Sequence, residues 1–301
     1  MSLLVTGSIG IDTVEAPGGK VTDVLGGSSI YFAVAASFFS PVRLVGVVGE
    51  DCPPGFLDPL RANPRIDLGG LEVRKGSRTF RWHGRYHQDV NVRDTVKVEL
   101  NVLGERGPTI PPAFRDSRYV FLANTHPALQ AELLGQLARP RLLVADTMDL
   151  WINGEPAALR SLLARLDGLV LNDSEAKLLS GETNLIAAGR KVAALVRRFV
   201  VVKKGEHGSL LFAGGEVYPM PGYPTASVVD PTGAGDSFAG AMMGHLAAED
   251  RSDVAALRRA IACGTVTASF GLEDFSLNRF LRTTRQEIDE RMRDFLGRVG
   301  C

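Results

Sequence analysis

The sequence has few cysteines, no net charge and no long apolar run, and each of these absences excludes a class of protein. Three cysteines, Cys52, Cys263 and Cys301, lie far apart and form no CxxC pair, which argues against a disulfide framework and a zinc site. The 34 basic and 34 acidic residues cancel, so no overall charge attracts nucleic acid or an anionic membrane. No window approaches the roughly 18 apolar residues of a membrane span, and Met1–Gly10 lacks the features of a secretory signal. We therefore expect a cytoplasmic protein without nucleic-acid or membrane partners.

Three common site motifs are also missing. The five histidines form no HExxH motif, and the one HxxxH spacing, His83 and His87, has no further His or Cys near it in the sequence, so a histidine zinc site is not expected. No GxGxxG follows the first apolar run, which argues against a dinucleotide-dependent dehydrogenase. GxxxxGK[ST] is absent, which excludes a P-loop enzyme.

Short apolar runs alternate with helical patterns along most of the chain. The predicted strands are Leu3–Thr6, Arg43–Val48, Tyr119–Leu122, Leu142–Ala145, Leu169–Leu171, Val200–Lys203 and Leu210–Phe212. The predicted helices are Ser28–Phe39, Ala128–Ala138, Glu155–Arg165, Leu185–Arg198, Gly233–Ala248, Asp253–Ser269 and Arg285–Leu296. Thr284 and Glu287 have capping-box spacing, and Ser252 is a predicted N-cap. Continuous apolar strands between helices predict an α/β fold with a mostly parallel sheet covered on both faces.

One stretch, from about Leu71 to Val102, has no helical period. Aromatic and basic residues alternate from Phe80 to Tyr86, and valines alternate with polar residues from Thr95 to Val102. Period-two alternation is typical of strands with one wet face, as in an antiparallel sheet. The stretch therefore predicts a small inserted sheet, which could be a lid, a dimer surface or an edge extension of the main sheet.

The segment Val228–Gly240 carries the most chemical information. An apolar run leads into a glycine-rich turn, Thr232-Gly233-Ala234-Gly235, and a long predicted helix follows. Glycines let backbone N–H groups approach an anion, and the start of a helix adds unpaired N–H groups and partial positive charge. Asp236 stands beside this turn and can accept a proton from an attacking alcohol. An anion cradle beside a base is the minimum that phosphoryl transfer requires.

On these residues the sequence resembles the PfkB family of sugar and nucleoside kinases, which have the ribokinase-like fold. Asp230–Gly240 is similar to the family's C-terminal signature, and Gly7–Asp12, Gly26-Gly27 and Asn172–Glu175 are similar to other family motifs. The resemblance implies a three-layer α/β/α domain over residues 1–301. It also implies a small β lid formed by about residues 11–25 and 66–102.

The resemblance implies a role for each matching position. The catalytic positions are Gly233, Ala234, Gly235 and Asp236. The substrate-binding positions are Asp12, Gly26, Gly27 and Tyr31, and the nucleotide-binding positions are Asn172, Lys203, Gly205, Gly208, Thr232 and Gly235. Glu175 would help to hold Mg²⁺ that arrives with ATP, because hard Mg²⁺ prefers oxygen ligands and keeps several waters.

Two positions depart from the family pattern. Tyr31 stands where an Asn is frequent, so the ring either stacks on the substrate or belongs to the core. Lys203 stands where a Thr is common. These departures leave the acceptor open between a sugar, which leads, and a nucleoside.

Further questions stay open on the residues alone. Asp146 and Asp149 follow a predicted strand and either face the cleft or form a plain turn. A requirement for a monovalent cation is not decided. The resemblance implies a homodimer through the lid, and a ligand-binding regulator without turnover is the alternative of another class.

Overall fold

The structure is a computed structural model that describes residues 2–299, so Cys301 lies outside the described residues. The strands are β1 (Leu3–Thr6), β2 (Gly10–Ala16), β3 (Gly19–Gly26), β4 (Val42–Gly49), β5 (Ile66–Arg74), β6 (Phe80–Tyr86), β7 (Arg93–Glu99), β8 (Tyr119–Leu122), β9 (Leu142–Asp146), β10 (Gly168–Asn172), β11 (Phe199–Lys203), β12 (Ser209–Ala213) and β13 (Glu216–Met220). The helices are α1 (Ser28–Ser37), α2 (Asp58–Arg61), α3 (Pro127–Leu134), α4 (Asp149–Gly154), α5 (Pro156–Leu163), α6 (Asp173–Ser180), α7 (Leu185–Ala193), α8 (Ala234–Glu249), α9 (Val254–Gly271) and α10 (Arg285–Val299).

A nine-stranded sheet forms the centre of the molecule. Its strand order is β13-β12-β11-β10-β9-β8-β1-β4-β5. All pairs from β11 to β5 are parallel, and only the pairs β11–β12 and β12–β13 are antiparallel. The carboxyl ends of β1, β9, β10 and β11 therefore meet at one edge, which is where ligands bind in open α/β sheets.

Helices cover both faces of this sheet, so its strands are buried on both sides. Along β8, Tyr119 and Phe121 point into one apolar cluster, while Val120 and Leu122 point into the other. The first cluster contains α1, α8 and α9, and the second contains α3, α5 and α7. The predicted three-layer α/β/α fold with a mostly parallel sheet is confirmed. Within the described residues, no helix is both long and apolar enough to span a membrane.

A second, four-stranded sheet has the order β3-β2-β6-β7. The prediction of a small sheet is confirmed, but its pairing is mixed: β2–β3 and β6–β7 are antiparallel, whereas β2–β6 is parallel. The boundary also differs, because β5 is the edge strand of the large sheet and the second sheet begins again only at Phe80. A period-two pattern does not reveal which sheet a strand joins.

Most predicted elements agree with the structure to within a few residues, and the exceptions are local. Helices α2, α4 and α6 and strand β13 were not predicted, since each has at most eight residues and little apolar periodicity. The N-cap of α9 is Asp253, whose Oδ1 accepts from the Ala256 amide at 3.1 Å, so the choice of Ser252 was wrong. The capping box of Thr284 and Glu287 is confirmed by the reciprocal bonds of 2.7 and 3.2 Å.

Candidate active site

The glycine turn before α8 leaves backbone N–H groups unpaired at the helix start. Gly233 is the N-cap of α8 with φ of 73°, a left-handed conformation that favours glycine. The Ala234 amide donates to the Pro231 carbonyl at 3.2 Å. Within residues 2–299, the amides of Gly233 and Gly235 meet no hydrogen-bond acceptor. Two of the three predicted cradle amides are thus free to bind an anion, and that of Ala234 is engaged.

Three carboxylates gather beside this turn, at the carboxyl edge of the sheet. Asp236 lies in the first turn of α8, Asp146 ends β9, and Glu175 lies in the first turn of α6. Burial raises the pKa of Asp236 to about 6, and burial together with the charge of Asp236 raises that of Asp146 well above its usual range. Burial also raises the pKa of Glu175. Asp236 is therefore a carboxylate that can both exist ionised at neutral pH and accept a proton.

Two cations act on this carboxylate cluster. The Lys203 Nζ lies 2.5 Å from the position that a Cβ would take at Gly235, so glycine there leaves room for the ammonium. Lys203 lowers the pKa values of Asp146, Glu175 and Asp236. Arg93 on β7 of the second sheet also lowers the pKa values of Glu175 and Asp236. Positive charge from two different sheets thus meets at the cradle.

Asp12 and the di-glycine form a second part of the site. A Cβ at Gly26 would overlap the Asp12 carboxylate, so glycine is needed for this approach. Gly27 is the N-cap of α1 with φ of 99°. Burial and the charges of Asp230 and Asp236 raise the pKa of Asp12 to about 7, although an amide hydrogen bond from Gly27 lowers it. The Asp12 carboxylate is therefore held out of water without a cationic partner in contact among the described residues.

Tyr31 connects these two parts. It lies in the first turn of α1, is only 1% exposed, and its ring packs directly against Gly233, where a side chain would overlap the ring. Of the two interpretations left open, stacking on the substrate and burial in the core, the structure supports burial in the core. The ring belongs to the apolar core, and its hydroxyl lies close enough to Asp12 for that charge to raise the pKa of Tyr31.

Hydrogen bonds fix the geometry of the glycine turn. Buried Asp230 accepts from the Thr232 amide at 2.8 Å and from the Ser276 amide at 3.2 Å. The Ser276 hydroxyl donates to the carbonyl of Leu25, next to the di-glycine, at 2.6 Å. This chain of bonds joins the cradle to the Asp12 side of the site.

The second sheet contacts both glycine loops. Thr232 donates to the hydroxyl of Tyr86 on β6 at 3.3 Å. The side-chain amide of Asn91, from the turn between β6 and β7, donates to Glu206 at 2.7 Å. Glu206 lies in a tight turn between Gly205 and Gly208, which have φ of 54° and 79°. The second sheet therefore spans the cleft from the cradle to the 205–208 turn.

The predicted nucleotide-side residues lie at the same edge of the sheet. The side chain of Asn172 caps α6 by accepting from the Glu175 amide at 2.8 Å, and Glu175 returns a bond to the Asn172 amide at 2.8 Å. This capping box orients Glu175 toward the cleft side, where Lys203 acts on it. Lys203 and Asn172 are register partners at the ends of β11 and β10.

The residues present suit a magnesium ion that shares its coordination with a nucleotide. Across residues 2–299, no group of three His, Cys, Asp or Glu side chains could hold a metal ion without further ligands. The Oδ1 atom of Asp146 is nevertheless buried without a hydrogen-bond partner within those residues. A carboxylate oxygen is a hard donor of the kind that Mg²⁺ prefers, so Asp146 would be one ligand of such an ion.

The structure thus brings the predicted site residues to the carboxyl edge of the large sheet and the second sheet beside it, and it adds residues that the sequence did not single out. Asp146 faces the carboxylate cluster, which decides between the two readings left open for it. Arg93 and Tyr86 were missed as site residues, because their position depends on how the second sheet folds over the cleft. Lys203 lies against Gly235 rather than only beside the 205–208 turn.

Comparisons with known proteins agree with this geometry. The model of the pfkB family carbohydrate kinases matches residues 143–272, which contain the cradle, Asp236, Glu175 and Lys203. A cytidine kinase of Thermococcus kodakarensis is 28% identical over 249 residues, covering 81% of this chain and 87% of that protein. A fructokinase of Klebsiella pneumoniae is 25% identical over 305 residues, covering 88% of this chain and 92% of that protein.

A solved nucleoside kinase of Burkholderia thailandensis in complex with inosine has the same fold. Its TM-score is 0.79 at 20% identity, and the match covers 98% of this chain and 99% of that chain. The family model, the two relatives and the fold therefore agree with the motif resemblance of this chain to the PfkB family of carbohydrate kinases.

Proposed function

We propose that this protein is an ATP-dependent kinase that transfers the γ-phosphoryl group of ATP to a hydroxyl group of a sugar or a nucleoside. The observation that carries the proposal is the arrangement at the start of α8. Two unpaired amides, the Lys203 ammonium and the Asp236 carboxylate converge there on one point of the cleft. Phosphoryl transfer needs this combination of anion stabilisation and a nearby base.

Asp236 acts as the general base of the proposed reaction. Asp236 takes the proton of the acceptor hydroxyl while the oxygen forms a bond to the γ-phosphorus, and the bond from that phosphorus to the bridging oxygen breaks to release ADP. The amides of Gly233 and Gly235 and the Lys203 ammonium stabilise the negative charge on the transferring group. Mg²⁺ bound with the nucleotide, near Asp146 and Glu175, would neutralise phosphate charge.

The predicted division of the cleft places the nucleotide near Asn172 and the 205–208 turn and the acceptor near Asp12 and Gly26–Gly27. The second sheet serves as the lid, since it touches the cradle through Tyr86 and the 205–208 turn through Asn91. A closed lid excludes water, which would otherwise compete as acceptor. Pairing of two lids into a homodimer belongs to the proposal as well, and the exposed Val96 and Val98 of edge strand β7 support it.

The acceptor is a hydroxyl of a free sugar or of the ribose of a nucleoside. Similarity to a fructokinase supports the first, and similarity to a cytidine kinase and to an inosine-bound nucleoside kinase supports the second. A panel of pentoses, hexoses, inositols and nucleosides, with ADP release as the readout, distinguishes the two. If none of these compounds raises ADP release above the rate measured without an acceptor, the kinase proposal is contradicted.

The base is tested by Asp236→Asn, which keeps the size of the side chain and removes its basicity. We expect kcat to fall roughly 10³-fold, because a positioned base contributes 10² to 10⁴, with ATP binding retained in calorimetry. The matched control is Asp250→Asn at the other end of α8. Asp250 pairs with Arg141 at 2.8 Å, away from the cleft, so its loss should lower the Tm and leave kcat unchanged. Turnover by Asp236→Asn at the rate of the unmodified protein would refute the base assignment.

A further inference from the structure

The second sheet is joined to the large sheet by a buried junction at Thr79, the residue that precedes β6. Thr79 is fully buried. Its amide donates to Oδ1 of Asp51 at 2.6 Å, its hydroxyl accepts from the Gly49 amide at 3.0 Å, and its carbonyl accepts from the Asn101 side chain at 2.8 Å. Gly49 ends β4, and Asn101 comes two residues after β7. One residue therefore ties the end of a large-sheet strand to both β6 and β7.

The backbones at this junction are packed closely. A Cβ at Gly49 would lie 2.4 Å from the backbone of Arg78, so only glycine lets β4 approach the segment before β6. The Val102 amide donates to the Arg78 carbonyl at 3.1 Å. Asn101 has φ of 46°, a left-handed conformation that costs free energy in a residue other than glycine. The surrounding bonds hold it there, so the junction has one well-defined geometry.

The charge of Asp51 extends the junction across the second sheet. Its Oδ2 atom is buried without a hydrogen-bond partner within residues 2–299, and it faces Nε of Arg78 at 3.6 Å and a terminal nitrogen of Arg81 at 3.8 Å. Burial raises the pKa of Asp51, but hydrogen bonds from Thr79 and the charges of Arg81 and Arg78 hold it below its usual value. The other terminal nitrogen of Arg81 binds Asp23 on β3 at 2.9 Å. Asp51 is thus linked through Arg81 to the far edge strand of the second sheet.

The contacts that close the cleft lie at the other end of β6. This strand runs from Phe80 to Tyr86, a length of about 20 Å. Tyr86 meets Thr232 beside the cradle, and Asn91, from the following turn, meets Glu206. A tilt of a few degrees at the start of such a strand moves its end by about 1 Å, and an error of this size in a site can cost about 100-fold in rate.

We propose that Asp51 is a positioning residue of the kinase: it fixes the start of β6 through Thr79 and thereby holds the second sheet where its contacts close the cleft. The inference rests on the proposed function and adds a consequence to it. A second sheet that closes inaccurately admits water. Water then attacks the γ-phosphorus in place of the acceptor, its proton goes to Asp236, and the bond to the bridging oxygen breaks to release ADP and inorganic phosphate.

The first test is Asp51→Ala, which removes both oxygens. With cytidine, inosine and fructose as acceptors, we expect kcat/KM to fall about 10- to 100-fold. The ratio of inorganic phosphate released to acceptor phosphorylated should rise at least about fivefold, because water is no longer excluded. Asp51→Asn keeps an oxygen that accepts from the Thr79 amide, so its losses should be smaller. An unchanged ratio in Asp51→Ala would overturn the proposal.

The matched control is Asp167→Ala. Asp167 is half-buried like Asp51, and its Oδ2 accepts from the Leu143 amide at 2.9 Å. The bond is of the same kind, but it lies at the amino end of the large sheet, away from the cleft. We expect a lower Tm with an unchanged ratio of phosphate release to transfer. If Asp51→Ala shows this same pattern, Asp51 is only structural and the proposal fails.

The second test does not depend on turnover. Amide hydrogen exchange of the protein without nucleotide or acceptor reports how firmly each segment is held. We expect residues 80–92 to exchange at least about tenfold faster in Asp51→Ala than in the unmodified protein, with β9 and β10 unchanged. Unchanged exchange in residues 80–92 would overturn the proposal. If the unmodified protein phosphorylates no acceptor, the kinase function itself is contradicted, and hydrogen exchange still decides whether Asp51 positions the second sheet.

Discussion

Asp12 and Glu15 lie on the same strand, β2, yet their side chains meet opposite surroundings. Asp12 is buried against Gly26, and burial raises its pKa to about 7. Glu15 faces Arg85, Lys20 and His83 across the outer face of the second sheet, and these hydrogen-bond partners lower its pKa to about 2. Among the described residues, Asp12 has no cationic side chain in contact, whereas Glu15 is hydrogen-bonded to three basic side chains.

The comparison distinguishes a residue that stabilises the sheet, Glu15, from a residue whose side chain is positioned for a ligand, Asp12. Glu15 makes short bonds to Lys20, His83 and Arg85, so its charge is already compensated within the fold. Asp12 keeps an unpaired oxygen in a buried place, which costs free energy in the absence of a ligand. Such a cost persists where it serves binding or catalysis, and strongly raised pKa values cluster at such sites.

Between the two carboxylates of β2, the larger effect is expected from removing the charge of Asp12. Asp12→Asn should lower kcat/KM for the acceptor roughly 100-fold, because a charge-assisted hydrogen bond to the acceptor is lost. The same change should raise the free energy of unfolding of the acceptor-free protein at pH 8 by about 2 kcal/mol, since a buried ionised group is removed. Steady-state kinetics and urea unfolding measure the two.

The sign of the stability effect can be checked by pH. The folded pKa of Asp12 is raised from 3.8 to about 7, so its ionisation disfavours folding, fully above pH 7 and not at all below about pH 4. The gain from Asp12→Asn should therefore shrink as the pH falls from 7 to 4. A gain that grows on acidification would mean that Asp12 is not held ionised against its burial.

Arg93 on the edge strand of the second sheet should have the next largest effect. Arg93→Ala removes positive charge that acts on Asp236 and Glu175, and we expect kcat to fall roughly tenfold to 100-fold. The matched control is Arg85→Ala on the neighbouring strand, whose guanidinium binds Glu15 at 2.6 Å on the outer face. Equal losses in both variants would show that the effect comes from the stability of the sheet and not from charge at the cradle.

The pH dependence of turnover tests the carboxylate cluster. Asp236 must be ionised to act as a base, so kcat should fall on acidification with a midpoint near pH 6 that belongs to the coupled Asp236 and Asp146 pair. Lys203 lowers both pKa values, so Lys203→Met should move the midpoint upward by about one pH unit. A pH–rate profile from pH 5 to 9 for both proteins decides this, and a downward shift would contradict the assignment.

Glu15→Gln should have the smallest effect, which completes the comparison along β2. Glu15 is half-buried and paired on the outer face, where ion pairs contribute little to stability. We expect kcat and KM to stay unchanged and the Tm to change only slightly, measured by differential scanning calorimetry in parallel with Asp12→Asn. A large loss of turnover would show that the outer face of the second sheet takes part in binding.

Much of the fold could be predicted from the pattern of apolar residues, because the large sheet is buried on both faces. Continuous apolar runs such as Tyr119–Leu122 are the local signature of such strands, and this strand was predicted to the residue. The second sheet was readable only as alternation. Its mixed pairing and its boundary at Phe80 depend on which edge strands meet, a choice that no local pattern contains.

The site divides in the same way. The sequence was enough to find Asp236, Gly233 and Gly235, because the anion-binding property of a glycine turn at the start of a helix depends only on adjacent residues. Arg93 and Asp146 were not assigned, because they are 143 and 90 residues away from Asp236 along the chain (236 − 93 and 236 − 146). Their charges act there only because the sheet edge and the second sheet converge on the cleft.

By itself the sequence determined the alternation of strands and helices, the anion cradle and the base, since each depends on the conformation of a few consecutive residues. Only the tertiary structure decided that Tyr31 would lie against Gly233 and that Oδ1 of Asp12 would be buried without a partner among the described residues. The solvation and the charge of a side chain depend on every group that packs around it. Whether a buried polar group has a hydrogen-bond partner within the protein is therefore set by the whole fold.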